Sequence, residues 1–129
     1  MTLPPVTRSV ADSTLYARCI EASRRIRWDI ETDVIRGRSF EADTRLLPRG
    51  MARSIELDFV PPADLRLLRQ IEGRTYANML GLFERFIAAK MLDISRDHWL
   101  GDQAALEALV KFSDEELKHQ QLFRRIETL

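Results

Sequence analysis

Three residues with metal-binding side chains fall at spacings that helices can bring together. Glu116 and His119 are three positions apart in the stretch DEELKHQ, residues 114–120, and Glu84 is the charged member of an otherwise apolar series in an earlier segment. Side chains three or four positions apart lie on one face of a helix. Carboxylate oxygens combined with an imidazole nitrogen suit iron, manganese or zinc, and carboxylates also bridge two metals. The residue types therefore predict a metal site.

The three candidates fall on apolar stripes rather than on charged faces. Steps of three or four in the last segment connect Ala105, Leu109, Phe112, Glu116, His119, Phe123 and Ile126. The same steps in the preceding segment connect Gly73, Ala77, Leu80, Glu84, Ala88 and Met91. A carboxylate that faces hydrocarbon is costly unless it is paired or bound to a cation. We therefore expect a compensating group beside Glu84, and the small Ala77 and Ala88 would let another helix come close.

Antiparallel pairing of two helices would bring the three side chains to a similar depth. Glu84 precedes a turn near residue 99 by about 15 positions and Glu116 follows it by about 17, so a rise of about 1.5 Å per residue nearly matches their heights. Glu84, Glu116 and His119 can then meet between the helices. A buried hydrogen bond between Glu and His, with no metal, is the alternative interpretation.

The elements that position these residues are predicted to be helices. We expect a flexible arm at 1–12 and a single domain at 13–129, with helices at about 13–36, 62–94 and 103–128 and a long connection at 37–61. An apolar stripe in the first helix links Leu15, Cys19, Ala22, Ile26 and Ile30. Gly37 ends this helix, Pro62 suits the first turn of the second, and Asp102 suits the N-cap of the third. The predicted fold class is all-α, a helical hairpin plus an amino-terminal helix.

The composition favours a helical globular domain and excludes several partners. Among 129 residues, 45% are hydrophobic and 31% charged, and only 5 are Gly and 5 Pro, which favours helices over short strands. Twenty basic residues balance twenty acidic ones, so no net field attracts nucleic acid or a membrane. The lone Cys19 suits a reducing compartment, and MTLPPVTRSVADS has no apolar run typical of a secretory signal. We therefore expect a cytoplasmic protein.

The segments GRTYANMLGLFERF and FSDEELKHQQLFRR resemble those of the ferritin-like di-iron carboxylate superfamily. The resemblance covers about residues 62–128, and it matches Glu84 to the single Glu of one bundle helix and Glu116 with His119 to the Glu-x-x-His of the next. It implies a ferritin-like helical hairpin, which is half of a four-helix bundle. It also implies a di-iron centre, with manganese as the alternative metal, that reacts with O₂ and an unknown small-molecule substrate.

This sequence departs from the family in one respect. Ferritin-like proteins supply a second Glu helix and a second Glu-x-x-His helix, and neither follows before Leu129. We expect the centre to be completed by a second chain, in a homodimer or a higher even oligomer, or by downstream helices that are missing here. An exposed bundle face would itself favour association.

Three further residues are candidates for the edge of the site. Tyr76 could serve as a radical or hydrogen-bonding partner, Glu72 could approach the edge, and Gln120 adjoins His119; ordinary packing or surface roles are the alternatives. The function predicted by the resemblance is that of an O₂-dependent oxidoreductase or oxygenase. The other two readings are a non-catalytic helical association module or truncated remnant, and a protein of iron oxidation or storage. No phosphate-binding loop and no paired nucleophile and base support a nucleotide or hydrolase function.

Overall fold

The computed structural model describes residues 10–129, apart from the side chains of residues 10–13 and 55. Three long helices, which we number α1 to α3, span Val10–Arg25, Pro62–Ser95 and Gln103–Thr128. Three short elements, a π-helical turn and two 3₁₀ turns, span Ile30–Ile35, Arg53–Glu56 and Arg96–His98. Residues 10–129 contain no strand, so the predicted all-α class and helical hairpin are confirmed. No described helix is both long and apolar enough to cross a membrane.

The amino-terminal region differs from the single helix predicted at 13–36. Residues 1–9 of the predicted arm lie outside the described part of the chain, and α1 already begins at Val10 and ends at Arg25. Asp29 then has an extended backbone, and its carboxylate accepts hydrogen bonds from the N–H groups of Glu31 and Thr32 at 2.9 and 2.8 Å. Asp favours such caps over helix interiors because its carboxylate competes for backbone N–H groups. The helix is therefore interrupted where no Gly or Pro marks a break.

The connection at 37–61 packs against the first half of α2. Pro62 is the first residue of α2, which ends at Ser95 where 94 was predicted. The Glu72 carboxylate accepts a hydrogen bond from the Ser54 hydroxyl at 2.8 Å and from the Arg53 N–H at 2.6 Å. Gly73 lies so close to Leu46 that a Cβ at position 73 would be 2.3 Å from the Leu46 Cβ. The connection is thus held to α2 by a carboxylate and by a residue with no side chain.

Asp102 caps α3, as its position before the helix predicts. Its Oδ1 accepts hydrogen bonds from the N–H groups of Ala104 and Ala105 at 3.0 and 3.1 Å. These bonds satisfy donors that the first turn of a helix leaves without partners. The helix Gln103–Thr128 has the bounds that were predicted.

The described residues form two compact units. The first unit comprises residues 10–27 and 87–115. Its buried residues are mostly small: Ile20, Ala88, Ser95, Ala105, Ala108 and Ser113. The apolar stripe predicted for the first helix is wrong at Leu15, Cys19 and Ile26, which are exposed. Ile26 follows the end of α1, so the periodicity of an uninterrupted helix does not apply to it.

The second unit comprises residues 28–86 and 116–129 and contains all three metal-ligand candidates. Its buried residues include Ile35, Ala52, Ser54, Ala77, Glu116 and Gln120. The Arg74 guanidinium donates to the Glu127 carbonyl at 3.1 Å, and Gly81 faces the Cβ of Phe123. As residue numbers rise along α2, those of the partners on α3 fall, so the two helices of this unit run antiparallel.

Candidate metal centre

Small residues on α2 let α3 approach at the level of the site. Ala77 is buried at 4% exposure, and a Cβ at Gly81 would be 3.6 Å from the Phe123 Cβ, which is ordinary van der Waals contact. The next residue on this inner side of α2 is Glu84, one turn beyond Gly81. Its carboxylate therefore points at α3 across a narrow gap, where Glu116 and His119 stand on successive turns of the opposing helix.

The three predicted ligands converge as their spacing predicted. One ligand atom from each of Glu84, Glu116 and His119 lies within 4.8 Å of the other two. The His119 Nδ1 is 3.3 Å from a carboxylate oxygen of Glu116 and 3.8 Å from one of Glu84. A single nitrogen thus faces two carboxylates that come from different helices.

The carboxylates are the enclosed part of the cluster. The Glu116 and Glu84 side chains are 7% and 16% exposed, whereas the His119 side chain is 40% exposed. A hydrogen bond shared with the Glu116 carboxyl, burial and the negative charge of Glu116 together raise the pKa of Glu84 to about 7, against a smaller opposing effect of His119. Two carboxylates this close cannot both be ionised at low cost. Without a cation, the pair therefore retains a proton near neutral pH.

Trp28 packs against the imidazole of His119. Its ring is stacked on that of His119, with centroids 6.0 Å apart and planes inclined by 26°. The Lys118 ammonium lies 4.9 Å from the centroid of the same indole, within cation–π distance. Consecutive residues of α3 therefore contact Trp28, and this contact restricts rotation of the His119 ring while its Nδ1 faces the carboxylates. The Asp29 cap that interrupts the first helix places Trp28 here.

The donor set fits one divalent transition metal with little rearrangement. Oxygen and nitrogen ligands lie about 2.0–2.2 Å from such an ion, so two ligands of one ion lie at most about 4.4 Å apart. The three ligand atoms lie within 4.8 Å of one another, so side-chain shifts of a few tenths of an ångström are enough to bring every pair inside that limit. Two carboxylates and one imidazole leave coordination positions for further ligands.

Among the described residues, no side-chain hydrogen bond joins the three residues predicted at the site edge to this cluster. Glu72 binds Ser54 and Arg53 of the connection, and these hydrogen bonds lower its pKa although burial alone would raise it. Tyr76 is half-buried, eight positions and about 12 Å along α2 from Glu84. Gln120 is buried, but within the described part of the chain no side-chain hydrogen bond joins it to Glu84, Glu116 or His119.

The contact of Trp28 with His119 is not predicted by the sequence. Helix periodicity carried no signal for it, because Trp28 lies in segment 26–29, between α1 and the π-helical turn, and reaches α3 through tertiary packing. The helix predicted at 13–36 includes Trp28 without an interruption. Recognition of the Asp29 cap would have exposed that error.

Comparisons of the chain with protein-family models, with curated proteins and with solved structures gave no match.

Proposed function

We propose that Glu84, Glu116 and His119 bind a divalent transition metal, iron or manganese, and that the chain belongs to an O₂-dependent oxidation system of the di-iron carboxylate type. The observation that carries the proposal is the convergence of the three ligand atoms within 4.8 Å from two different helices. The donor set supports it, because carboxylates and imidazole are ligands that redox-active iron and manganese accept. A bound metal of this kind would supply electrons to O₂.

The residues of this chain each have a distinct part in that role. Glu116 is the most deeply buried ligand, so it fixes the depth of the site. Glu84 carries a proton near neutral pH and must release it when a cation arrives, which couples binding to pH. His119 is presented by the Trp28 stack, and its partial exposure leaves a route for solvent and small molecules.

The remaining ligands of a two-metal centre would come from a second chain or from further helices, as the resemblance implies. Three ligands on their own suit one ion per chain. The lone Cys19 is free and exposed, which agrees with a reducing cytoplasm, and we propose that location.

A second candidate function is a non-catalytic helical module. The observation that favours it is the 3.3 Å contact between the His119 Nδ1 and Glu116, which satisfies both groups without a metal. The two functions differ in the response to a cation, because a ligand that binds only the folded state raises its stability.

The deciding experiment measures metal per chain and melting temperature after anaerobic Fe(II) loading at pH 7.5. We expect about one tightly held iron per chain, a higher melting temperature, and loss of both in Glu84→Gln and in His119→Ala. The matched control is Glu115→Gln, which removes an adjacent carboxylate on another face of α3. Equal iron content in all four proteins, or no iron in any, would exclude the metal site and leave the helical module.

A further inference from the structure

The second unit exposes large apolar side chains along α2 that its own residues do not cover. This surface, which we term the outer face, consists of side chains that are each more than a third exposed: Leu67, Leu68, Ile71, Met79, Leu82, Phe83 and Phe86. Phe86 and Phe83 are 70% and 59% exposed. The four residues from Met79 onward recur at steps of three and four, so they form one stripe.

The outer face points away from the metal-ligand candidates. Successive residues of an α-helix are rotated by about 100°, so Phe83 lies about 100° from Glu84 and Phe86 and Leu82 lie about 160° from it, on opposite sides. Glu84 is turned towards α3. The exposed phenylalanines are therefore not an unfilled part of the metal site, and their exposure needs a separate explanation.

The size of the outer face matches a stable protein interface. Large side chains have areas of about 150–250 Å² when fully accessible, so exposures of this order leave on the order of 100 Å² at each of the seven residues. That is about 700 Å² per chain, above the roughly 300–600 Å² of the largest patch on a typical monomer. Two such faces in contact would bury more than about 1,000 Å², which is the range of specific interfaces.

Charge also permits a second copy of the same chain to be the partner. Residues 75–83 carry no charged side chain, so two outer faces meet without placing like charges opposite each other at their centre. The whole chain has equal numbers of basic and acidic residues, so the copies do not repel each other through net charge. A two-fold interface uses the same patch on both chains and therefore needs a self-complementary surface, which an uncharged apolar stripe provides.

We propose that two copies of this chain form a homodimer by packing the outer faces of their α2 helices together. In that dimer the Glu84 side of each α2 is turned away from the interface, so the two Glu84, Glu116 and His119 sets stay apart. This association is therefore distinct from one that pools two half-sites around a shared pair of metals, and it does not depend on metal binding.

The experiment measures mass by light scattering during size-exclusion chromatography, with the full chain at several concentrations and with chelator present. We expect twice the 15.0 kDa of the chain. The double variant F83E and F86E should run as a monomer, with a dimer dissociation constant at least about 100-fold higher. Both positions are exposed, so the variant keeps its helices, and circular dichroism checks that it does. Gln121→Glu adds a negative charge at an exposed position of α3 and should remain dimeric.

Three results would overturn the proposal. A wild-type chain that is monomeric at every concentration would show that a different partner covers the outer face. A double variant that stays folded and dimeric would place the interface elsewhere. A dimer that dissociates on addition of chelator would be held by metal. None of these outcomes decides whether Glu84, Glu116 and His119 bind iron, because that is read from the metal content of the wild-type chain and of Glu84→Gln.

Discussion

The two sides of α2 in the second unit contrast in side-chain size as well as in surroundings. The inner side carries Gly73, Ala77, Gly81 and Glu84, and three of these are glycine or alanine. The outer face carries the phenylalanines, and they are largely exposed. A helix that is apolar on all sides has to be covered on all sides. Bulky hydrophobic residues therefore do not always mark the core of their own chain, because here small residues make the contact between α2 and α3.

The largest effect on the free energy of unfolding should come from enlarging a residue on the inner side of α2. Ala77→Phe should destabilise the chain by about 3 kcal/mol, because a buried contact between helices has no room for an aromatic ring. Urea unfolding measures the change. Ala89→Phe makes the same increase in size at an exposed position of α2 and should leave the free energy of unfolding nearly unchanged. Equal losses in the two variants would remove the distinction between the sides.

The pH dependence of stability should reveal the raised pKa of Glu84. Its pKa is about 7 in the folded chain, whereas the ordinary value of 4.5 applies to the unfolded chain. Between these pH values the folded state holds a proton that the unfolded state has released. The metal-free chain should therefore lose stability as pH rises from about 4.5 to 7, by on the order of 2 kcal/mol from this group. Urea unfolding at a series of pH values with chelator present measures the loss.

The matched variant is Glu84→Gln, which cannot ionise. The difference between its pH profile and that of the wild-type chain should contain the effect of Glu84 and cancel the opposite trend of Asp29 and Glu72, whose pKa values are lowered. Parallel profiles would mean that Glu84 ionises normally and that the carboxyl pair is not held together.

Two glycines of α2 should respond in opposite ways to the same substitution. Gly73→Ala should cost about 1–2 kcal/mol, since its Cβ would overlap the Leu46 Cβ, and adding Leu46→Gly, which removes that Cβ, should reduce the cost of Gly73→Ala. Gly81→Ala meets only an ordinary contact with Phe123, so the helix preference for Ala should make it neutral or stabilising by up to about 1 kcal/mol. Thermal unfolding of the two variants compares them directly, and a loss at Gly81 as large as that at Gly73 would contradict the described packing.

The smallest effect on the stability of the single chain should come from removing an aromatic ring of the outer face. Phe86→Gln should change the free energy of unfolding by no more than about 0.5 kcal/mol when measured below the concentration at which copies associate. The same variant should weaken self-association at higher concentration. A large loss at low concentration would show that Phe86 packs within its own chain.

The elements closest to the site were predictable because local chemistry fixes them. Pro62 and Asp102 stand where helices begin, and both helices of the hairpin follow from those positions. The spacing of Glu116 and His119, with antiparallel pairing, was enough to predict that they meet Glu84. These features depend on neighbours in sequence or on helix geometry alone.

The rest depends on contacts between distant parts of the chain. The break after Arg25 reflects a competition between helix continuation and the Asp29 cap, which a stretch without Gly or Pro does not reveal. Glu72 was predicted at the site edge from its angular offset, yet it binds Ser54 of a connection that has no regular period. Trp28 likewise acquires its role through tertiary packing.

The stack of Trp28 on His119 also gives the chain an optical reporter. An indole in contact with an imidazole changes its fluorescence when that imidazole is protonated or bound to a paramagnetic ion, because both provide quenching routes over a few ångströms. Trp99 is 60% exposed and lies in the other compact unit, so Trp99→Phe would leave Trp28 as the single emitter. Emission of that variant, titrated with Mn(II), would then follow events at His119 continuously, without a label and without separation of bound from free metal.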